Sequence, residues 1–184
     1  MKRVLLLDNY DSFTYNLEHL LLGMDAEVST VRNDAFNGDL LNYSHIVLSP
    51  GPGLPKHAGK MMDLIQATQG KIPILGVCLG MQGIAEYLGG SLYNQTSVKH
   101  GVMESVELED TLLFKDMERE IEVGLYHSWS VNADGDYDVI AYSKSGIVMA
   151  IQNQSVKMLG VQFHPESVMT PSGKQVLNNF LAMH

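Results

Sequence analysis

"IPILGVCLGMQGIAEYLGG", Ile72–Gly90, is the stretch on which the fold turns. Its first part, "IPILGVC", is a short apolar run of the kind a buried strand shows. Its second part, "LGMQGIAEYLGG", spaces its apolar residues as a helix does and closes on a glycine pair. Strand passes to helix with almost no linker, and at the junction stands Cys78, the only cysteine in the chain.

The same alternation recurs upstream. "RVLLLD" (Arg3–Asp8) reads as a buried strand. "SFTYNLEHLLLG" follows, with Phe13, Leu17, Leu20 and Leu21 at helical spacing, Ser12 as the expected N-cap and Gly23 as the stop. "EVSTVRN" and "HIVLSP" read as strands, "GPGLPKHAG" as irregular, and "KMMDLIQATQG" as a helix. Downstream the character changes to strand-like pieces ("GVMESVELE", "SWSVNA", "DVIAYS", "GIVMAIQN", "KMLGVQFH") separated by turns such as "ADGD" and "KSG". An amphipathic helix over about Ser172–Met183 closes the chain. This order predicts an α/β, three-layer flavodoxin-like sandwich: a mainly parallel central sheet with a mixed or antiparallel C-terminal extension. With no repeat or linker, residues 1–184 are expected to form a single domain.

The bulk numbers exclude several classes. Hydrophobic residues make up 45% and charged residues 18%, a globular composition. Twelve Lys and Arg against 21 Asp and Glu give a formal charge of −9, and no basic run offers a nucleic-acid surface. No stretch approaches the roughly 18 apolar residues that cross a bilayer, so no membrane partner is expected. The start lacks a secretory h-region, and a lone cysteine suits a reducing compartment; the expectation is cytoplasmic. The remaining histidines (His19, His45, His57, His100, His184) have no ligand spacing, and no metal is expected.

The chemistry gathers at three motifs. In "GVCLG", Gly76 and Gly80 flank Cys78 at two residues each way, the cysteine counterpart of the Gly-x-Ser-x-Gly nucleophile elbow. A tight strand-to-helix turn strains the nucleophile's backbone and leaves no room for side chains beside it. The helix N-terminus favours a thiolate, and the N–H of Leu79 has no helical partner and can serve an oxyanion. The bland alternative is a buried, inert cysteine. In "GVQFHPES", His164 and Glu166 supply a base and the group that orients it, with Pro165 stiffening the link; alone, the pair could equally be surface residues beside a turn. In "SPGPGLP" (Ser49–Pro55), Gly51 and Gly53 present approachable backbone N–H groups, which suits a second oxyanion donor facing Leu79, where the plain alternative is a rigid turn. No Gly-Lys-Ser/Thr ending makes it a phosphate loop.

In order and in kind, "SPGPGLP", "GVCLGMQ", "YHSW" and "GVQFHPES" resemble the class I (triad-type) glutamine amidotransferases, and "DNYDSFTYNL" resembles the start of the small subunits that serve anthranilate and aminodeoxychorismate synthesis. The resemblance spans nearly the whole chain. It implies hydrolysis of L-glutamine to glutamate and ammonia, with ammonia passed to a chorismate-using synthase subunit. That partner would be anthranilate synthase component I, or alternatively aminodeoxychorismate synthase component I. By the same resemblance Cys78 is the nucleophile, His164 the base and later acid, and Glu166 its orienter. Leu79 and Gly53 form the oxyanion hole, and Gly51, Pro52, Gly53, Leu79, Gln82, Ser128 and Trp129 bind glutamine. No cofactor is implied in this subunit; magnesium, where required, belongs to the synthase partner. His127 is given no catalytic role, and "DNYDSFT" is an expected contact region for the partner.

Two departures stand out. Chorismate-linked members often carry histidine where this chain has Met81, and arginine where it has Leu125. Competing readings on the same scaffold are a stand-alone γ-glutamyl hydrolase, a cysteine peptidase and a non-catalytic regulatory domain. Retention of Cys78, His164, Glu166 and the Gly51–Gly53 loop together argues for the amidotransferase. So few residues follow Glu166 that the acceptor chemistry is expected on another chain.

Overall fold

The computed structural model describes residues 1–40 and 42–184. The apolar runs become strands β1 (Lys2–Asp8), β2 (Ala26–Arg32), β3 (His45–Leu48) and β4 (Ile74–Val77), interleaved with helices α1 (Thr14–Leu22), α2 (Met61–Thr68) and α3 (Leu79–Tyr87). Then come β5 (Leu92–Leu108), β6 (Glu120–Val131), β7 (Asp138–Ser143), β8 (Val148–Asn153), β9 (Met158–Val161) and α4 (Gly173–Leu181). These strands share one sheet in the order β2-β1-β3-β4-β9-β8-β7-β5-β6. From β2 to β9 every pairing is parallel; from β9 onward every pairing is antiparallel. This is the expected α/β sandwich with its antiparallel extension.

Apolar runs without alternation make sense once both faces are covered. In β1, Val4 and Leu6 join Leu17 and Leu21 of α1 and Val176, Leu177 and Phe180 of α4 in one core. Leu5 and Leu7 turn the other way, into a second core with Met61, Leu64 and Ile65 of α2 and Met81 and Ile84 of α3. Each of these side chains is at most 1% exposed, and full burial of one such residue stabilises the fold by about 1.5–3 kcal/mol. The strand is apolar throughout because it serves two interiors.

Two local expectations are corrected. Ser12 does not cap α1: the helix begins after Phe13 with no side-chain cap bond, and Ser12 is exposed. Instead Asp11 Oδ2 accepts the Phe13 N–H at 2.8 Å, and Asp8 Oδ1 accepts the Thr14 hydroxyl at 2.9 Å. The strands expected at "GVMESVELE" and "SWSVNA" are the ends of a much longer ribbon, β5 with β6. Its first half, "LYNQTSVKH", is polar and largely exposed, so it has no buried face to impose alternation. Register shifts between Asn94/Lys99 and His100/Val102 break the period further.

The parallel strands deliver their C-terminal ends to one edge of the sheet, where Asn9, Ser49, Cys78 and Gln162 follow β1, β3, β4 and β9. In open α/β sheets that edge is where ligands bind.

Candidate active site

Cys78 is the residue between β4 and α3, and its backbone is strained: φ is 52° and ψ −104°. That conformation is costly for a residue with a side chain and persists only when its surroundings hold it. They do so by close approach. A Cβ on Gly76 would lie 2.3 Å from the Gly80 carbonyl carbon, and one on Gly80 would lie 2.6 Å from Leu48 Cβ. The Cys78 N–H donates to Val161 O at 2.8 Å, and its carbonyl receives the Gln82 N–H at 3.1 Å, stitching the turn to β9 and to α3. Cys78 is 6% exposed, and Gln162 Nε2 lies 3.4 Å from Sγ as a donor.

The Ser49–Pro55 loop leaves β3 beside this turn. A Cβ on Gly51 would lie 2.6 Å from Asn9 and 2.9 Å from the Leu79 side chain, so the loop packs directly on the first residue of α3. Gly53 adopts φ 77° with open space around it, and Pro52 and Gly53 are exposed. The N–H of Leu79, in the first turn of α3, has no carbonyl one helical turn back to bond.

His164 follows β9, and its backbone is held from several sides. Its N–H donates to Gly124 O of β6 at 3.1 Å, and its carbonyl accepts the Thr170 hydroxyl at 2.7 Å and the Ser167 N–H at 3.1 Å. Thr170 Oγ1 in turn accepts the Gly124 N–H at 2.9 Å. Gly173 permits this packing, since a Cβ there would lie 1.9 Å from Pro165 O.

The imidazole Nδ1 meets Glu166 Oε1 at 2.6 Å, in a pair whose side chains are 2% and 0% exposed. Nε2 is buried without a hydrogen-bond partner, yet Cys78 is near enough to govern the ring's proton affinity. Burial opposes protonation, but the nearby Cys78 and the hydrogen-bonded Glu166 outweigh it, and His164 is pushed up to about 10. The arrangement favours a protonated imidazole beside the Cys78 sulfur, with Glu166 behind it.

Two aromatic rings the motifs did not single out enclose His164. Tyr126 meets it edge-on with centroids 4.9 Å apart, and Phe13 does so at 5.6 Å. Phe13 gives "DNYDSFT" an inward use beside its exposed Tyr10: its ring walls the imidazole while Asp8 and Asp11 fix the turn that carries it. In the sequence Phe13 stood only as the first apolar residue of a helical pattern, which gives no hint that its ring meets His164.

Gln82, expected at the substrate, is 3% exposed and already engaged. Its Nε2 donates to Trp129 O at 3.1 Å and to Gln162 Oε1 at 3.2 Å, leaving its own Oε1 to meet a ligand. Ser128 and Trp129 are half-buried on β6, and Trp129 meets Gln82 of α3 through its backbone carbonyl. His127 Nδ1 also lies 2.9 Å from that carbonyl, and burial holds His127 below the usual histidine range. Met81 and Leu125 are fully buried; Met81 packs over Gly160, where a Cβ would lie 2.7 Å from it. Among the described residues no group of three or more His, Cys, Asp or Glu is placed to hold a metal ion, and no helix is long and apolar enough to cross a membrane.

Known proteins resemble this chain along almost its full length. The aminodeoxychorismate synthase component 2 of Escherichia coli is 40% identical over 184 residues, covering 97% of this chain and 98% of its own. The aminodeoxychorismate/anthranilate synthase component 2 of Bacillus subtilis is 39% identical, covering 97% of this chain and 95% of its own. A solved glutamine amidotransferase from Thermotoga maritima shares the fold, with a TM-score of 0.81 at 19% identity over 98% of this chain and 96% of that one. The family model for glutamine amidotransferase class-I matches residues 5–183, and this chain belongs to that family.

Proposed function

We propose that this chain hydrolyses L-glutamine through a Cys78–His164–Glu166 triad and supplies the ammonia to a chorismate-using synthase subunit. The observation that carries the reading is the strained Cys78 at the head of α3, facing a buried His164 whose far nitrogen is held by Glu166 at 2.6 Å.

The Cys78 thiolate attacks the side-chain amide carbon of glutamine, and the carbonyl electrons move onto oxygen. Backbone N–H groups of Leu79 and Gly53 hold that oxyanion. The tetrahedral adduct collapses as His164 gives its Nε2 proton to the departing nitrogen, releasing ammonia and leaving a γ-glutamyl thioester. Neutral His164 then takes a proton from water, which attacks the thioester; glutamate leaves and the thiolate returns. Glu166 keeps Nδ1–H fixed throughout, so Nε2 alone exchanges protons. Gly51, Pro52, Ser128 and Trp129 wall the glutamine, and Gln82 Oε1 receives its ammonium group. No step uses a cofactor.

The E. coli relative is named for aminodeoxychorismate synthesis and the B. subtilis relative for both products. Anthranilate is our assignment, with component I of anthranilate synthase as the partner and the cytoplasm as the compartment. Co-purification of the natural synthase and identification of its aromatic product tests it; an exclusively aminodeoxychorismate product overturns it. The chemistry is tested by Cys78→Ser in the complex. Glutamine-dependent product should vanish while ammonia-dependent product persists, and equal glutamine consumption by both proteins rejects the mechanism.

A further inference from the structure

Gln162 stands two residues before His164, fully buried, and the mechanism above leaves it without a task. Its carboxamide lies between the nucleophile and α3. Nε2 is 3.4 Å from Cys78 Sγ, and Oε1 is 3.2 Å from Gln82 Nε2. A carboxamide can face either way, so its direction must be argued from what surrounds it.

The chain of contacts settles that direction. Trp129 O is a backbone carbonyl and can only accept, and Gln82 Nε2 meets it at 3.1 Å. Gln82 therefore turns its NH₂ toward Trp129, and that same nitrogen's second hydrogen reaches Gln162. Gln162 must present oxygen to Gln82, which leaves its own NH₂ for the sulfur. Reversing Gln162 would set two donors against each other in a buried site, with one left unpaired.

We infer that Gln162 selects the thiolate form of Cys78, its N–H donor held on Sγ by a relay that runs from the Trp129 carbonyl through Gln82. A thiolate accepts such a bond strongly and a thiol only weakly. The donor therefore favours transfer of the sulfur's proton to His164 Nε2, where the charge is balanced by Glu166. Once the sulfur is acylated it carries no charge and the bond slackens, so the donor does not hold the thioester. Gln162 touches the reacting atom, whereas Gln82 acts through Gln162 as a positioning residue. The relay gives Gln82 two duties on one amide: its nitrogen orients Gln162, and its oxygen faces the substrate.

The inference rests on Cys78 being the nucleophile, and the experiment separates the two. As the only cysteine, Cys78 is the one thiol that iodoacetamide can alkylate, and intact mass follows it in the full chain from about pH 5 to about pH 9. Gln162→Met keeps length without a donor, Gln162→Glu puts a carboxylate at the sulfur, and Gln82→Met cuts the relay one step back. The readout is the midpoint of the rate-versus-pH curve, because loosened packing changes access at every pH alike. Gln162→Met should move the midpoint upward by about one pH unit, equivalent to about tenfold less thiolate on the rising limb. Gln162→Glu should move it further and Gln82→Met less. Midpoints of Gln162→Met and wild type that coincide, with matching circular dichroism, overturn the inference and leave the nucleophile standing. Cys78→Ser that consumes glutamine as fast as wild type in the synthase complex rejects the nucleophile itself. Should both Gln162 variants fail to fold, Gln82→Met decides, and an unmoved midpoint there refutes the relay.

Discussion

Thr170→Val tests whether the backbone of His164 depends on the hydroxyl beside it. Valine matches threonine closely in shape but can neither donate to His164 O nor accept from the Gly124 N–H, bonds of 2.7 and 2.9 Å around a residue 4% exposed. The two losses differ. His164 O keeps the Ser167 N–H at 3.1 Å, so its loss is one ordinary bond, about 0.5–1.5 kcal/mol. The Gly124 N–H is left against a methyl group, at about 1–3 kcal/mol. Together the substitution should destabilise the protein by about 2–4 kcal/mol. For a chain of this size each kcal/mol lowers Tm by about 2–4 °C, so a fall of roughly 4–16 °C is expected. Thermal melting followed by circular dichroism measures it, with Thr170→Ser as the control that keeps the hydroxyl. Glutaminase turnover in the synthase complex should fall by up to about 100-fold at a temperature where both proteins are folded, since a small displacement of the base spoils its alignment. A Thr170→Val protein that melts within about 2 °C of wild type refutes the reasoning.

Three further outcomes follow. Glu166→Gln keeps the shape but removes the charge 2.6 Å from Nδ1; glutamine-dependent turnover should drop by about 10²–10⁴, and a loss under threefold would deny Glu166 its orienting role. Gly76→Ala sets a Cβ 2.3 Å from Gly80 backbone that cannot swing aside; a cost of about 3 kcal/mol or more should appear as a lower urea midpoint, and an unchanged midpoint would contradict the packing of the elbow. Burial, aided by the charges of Lys2 and His184, holds His45 down to about 4 although its bond to Met183 O opposes this. Because the unfolded chain takes up that proton first, the contribution of His45 is complete above about pH 6.5 and is lost as pH falls toward about 4. Urea midpoints at the two ends of that window should fall more steeply for wild type than for His45→Gln; parallel falls would exclude His45.

How much of this was legible in the sequence depends on what each residue touches. The apolar runs of β1, β3 and β4 announced a sheet covered on both faces, and the glycines about Cys78 announced the elbow, because both are local constraints written into neighbouring residues. His164 and Glu166 sit two apart, so their pairing was local as well. Thr170, Gln162 and Phe13 were missed for the opposite reason. A threonine joining β6 to the turn after β9, or an aromatic from the turn before α1 against the imidazole, gains meaning only from segments far along the chain. Ser12 was misread because Asp11 and Asp8, also good cap formers, compete for the same turn. The ribbon of β5 and β6 was underestimated because the first half of β5 is largely exposed, and period-two patterning exists only where one face is dry.

The solitary thiol has a consequence for oxidative damage. A sulfenic acid formed on Cys78 finds no second cysteine among these 184 residues with which to close a disulfide. Reduction by thiol exchange must then draw on a thiol from outside the chain, one able to reach a sulfur only 6% exposed. On the mechanism proposed above, an acyl group on Cys78 would also shield the sulfur, and the protein would be most vulnerable to peroxide when starved of glutamine.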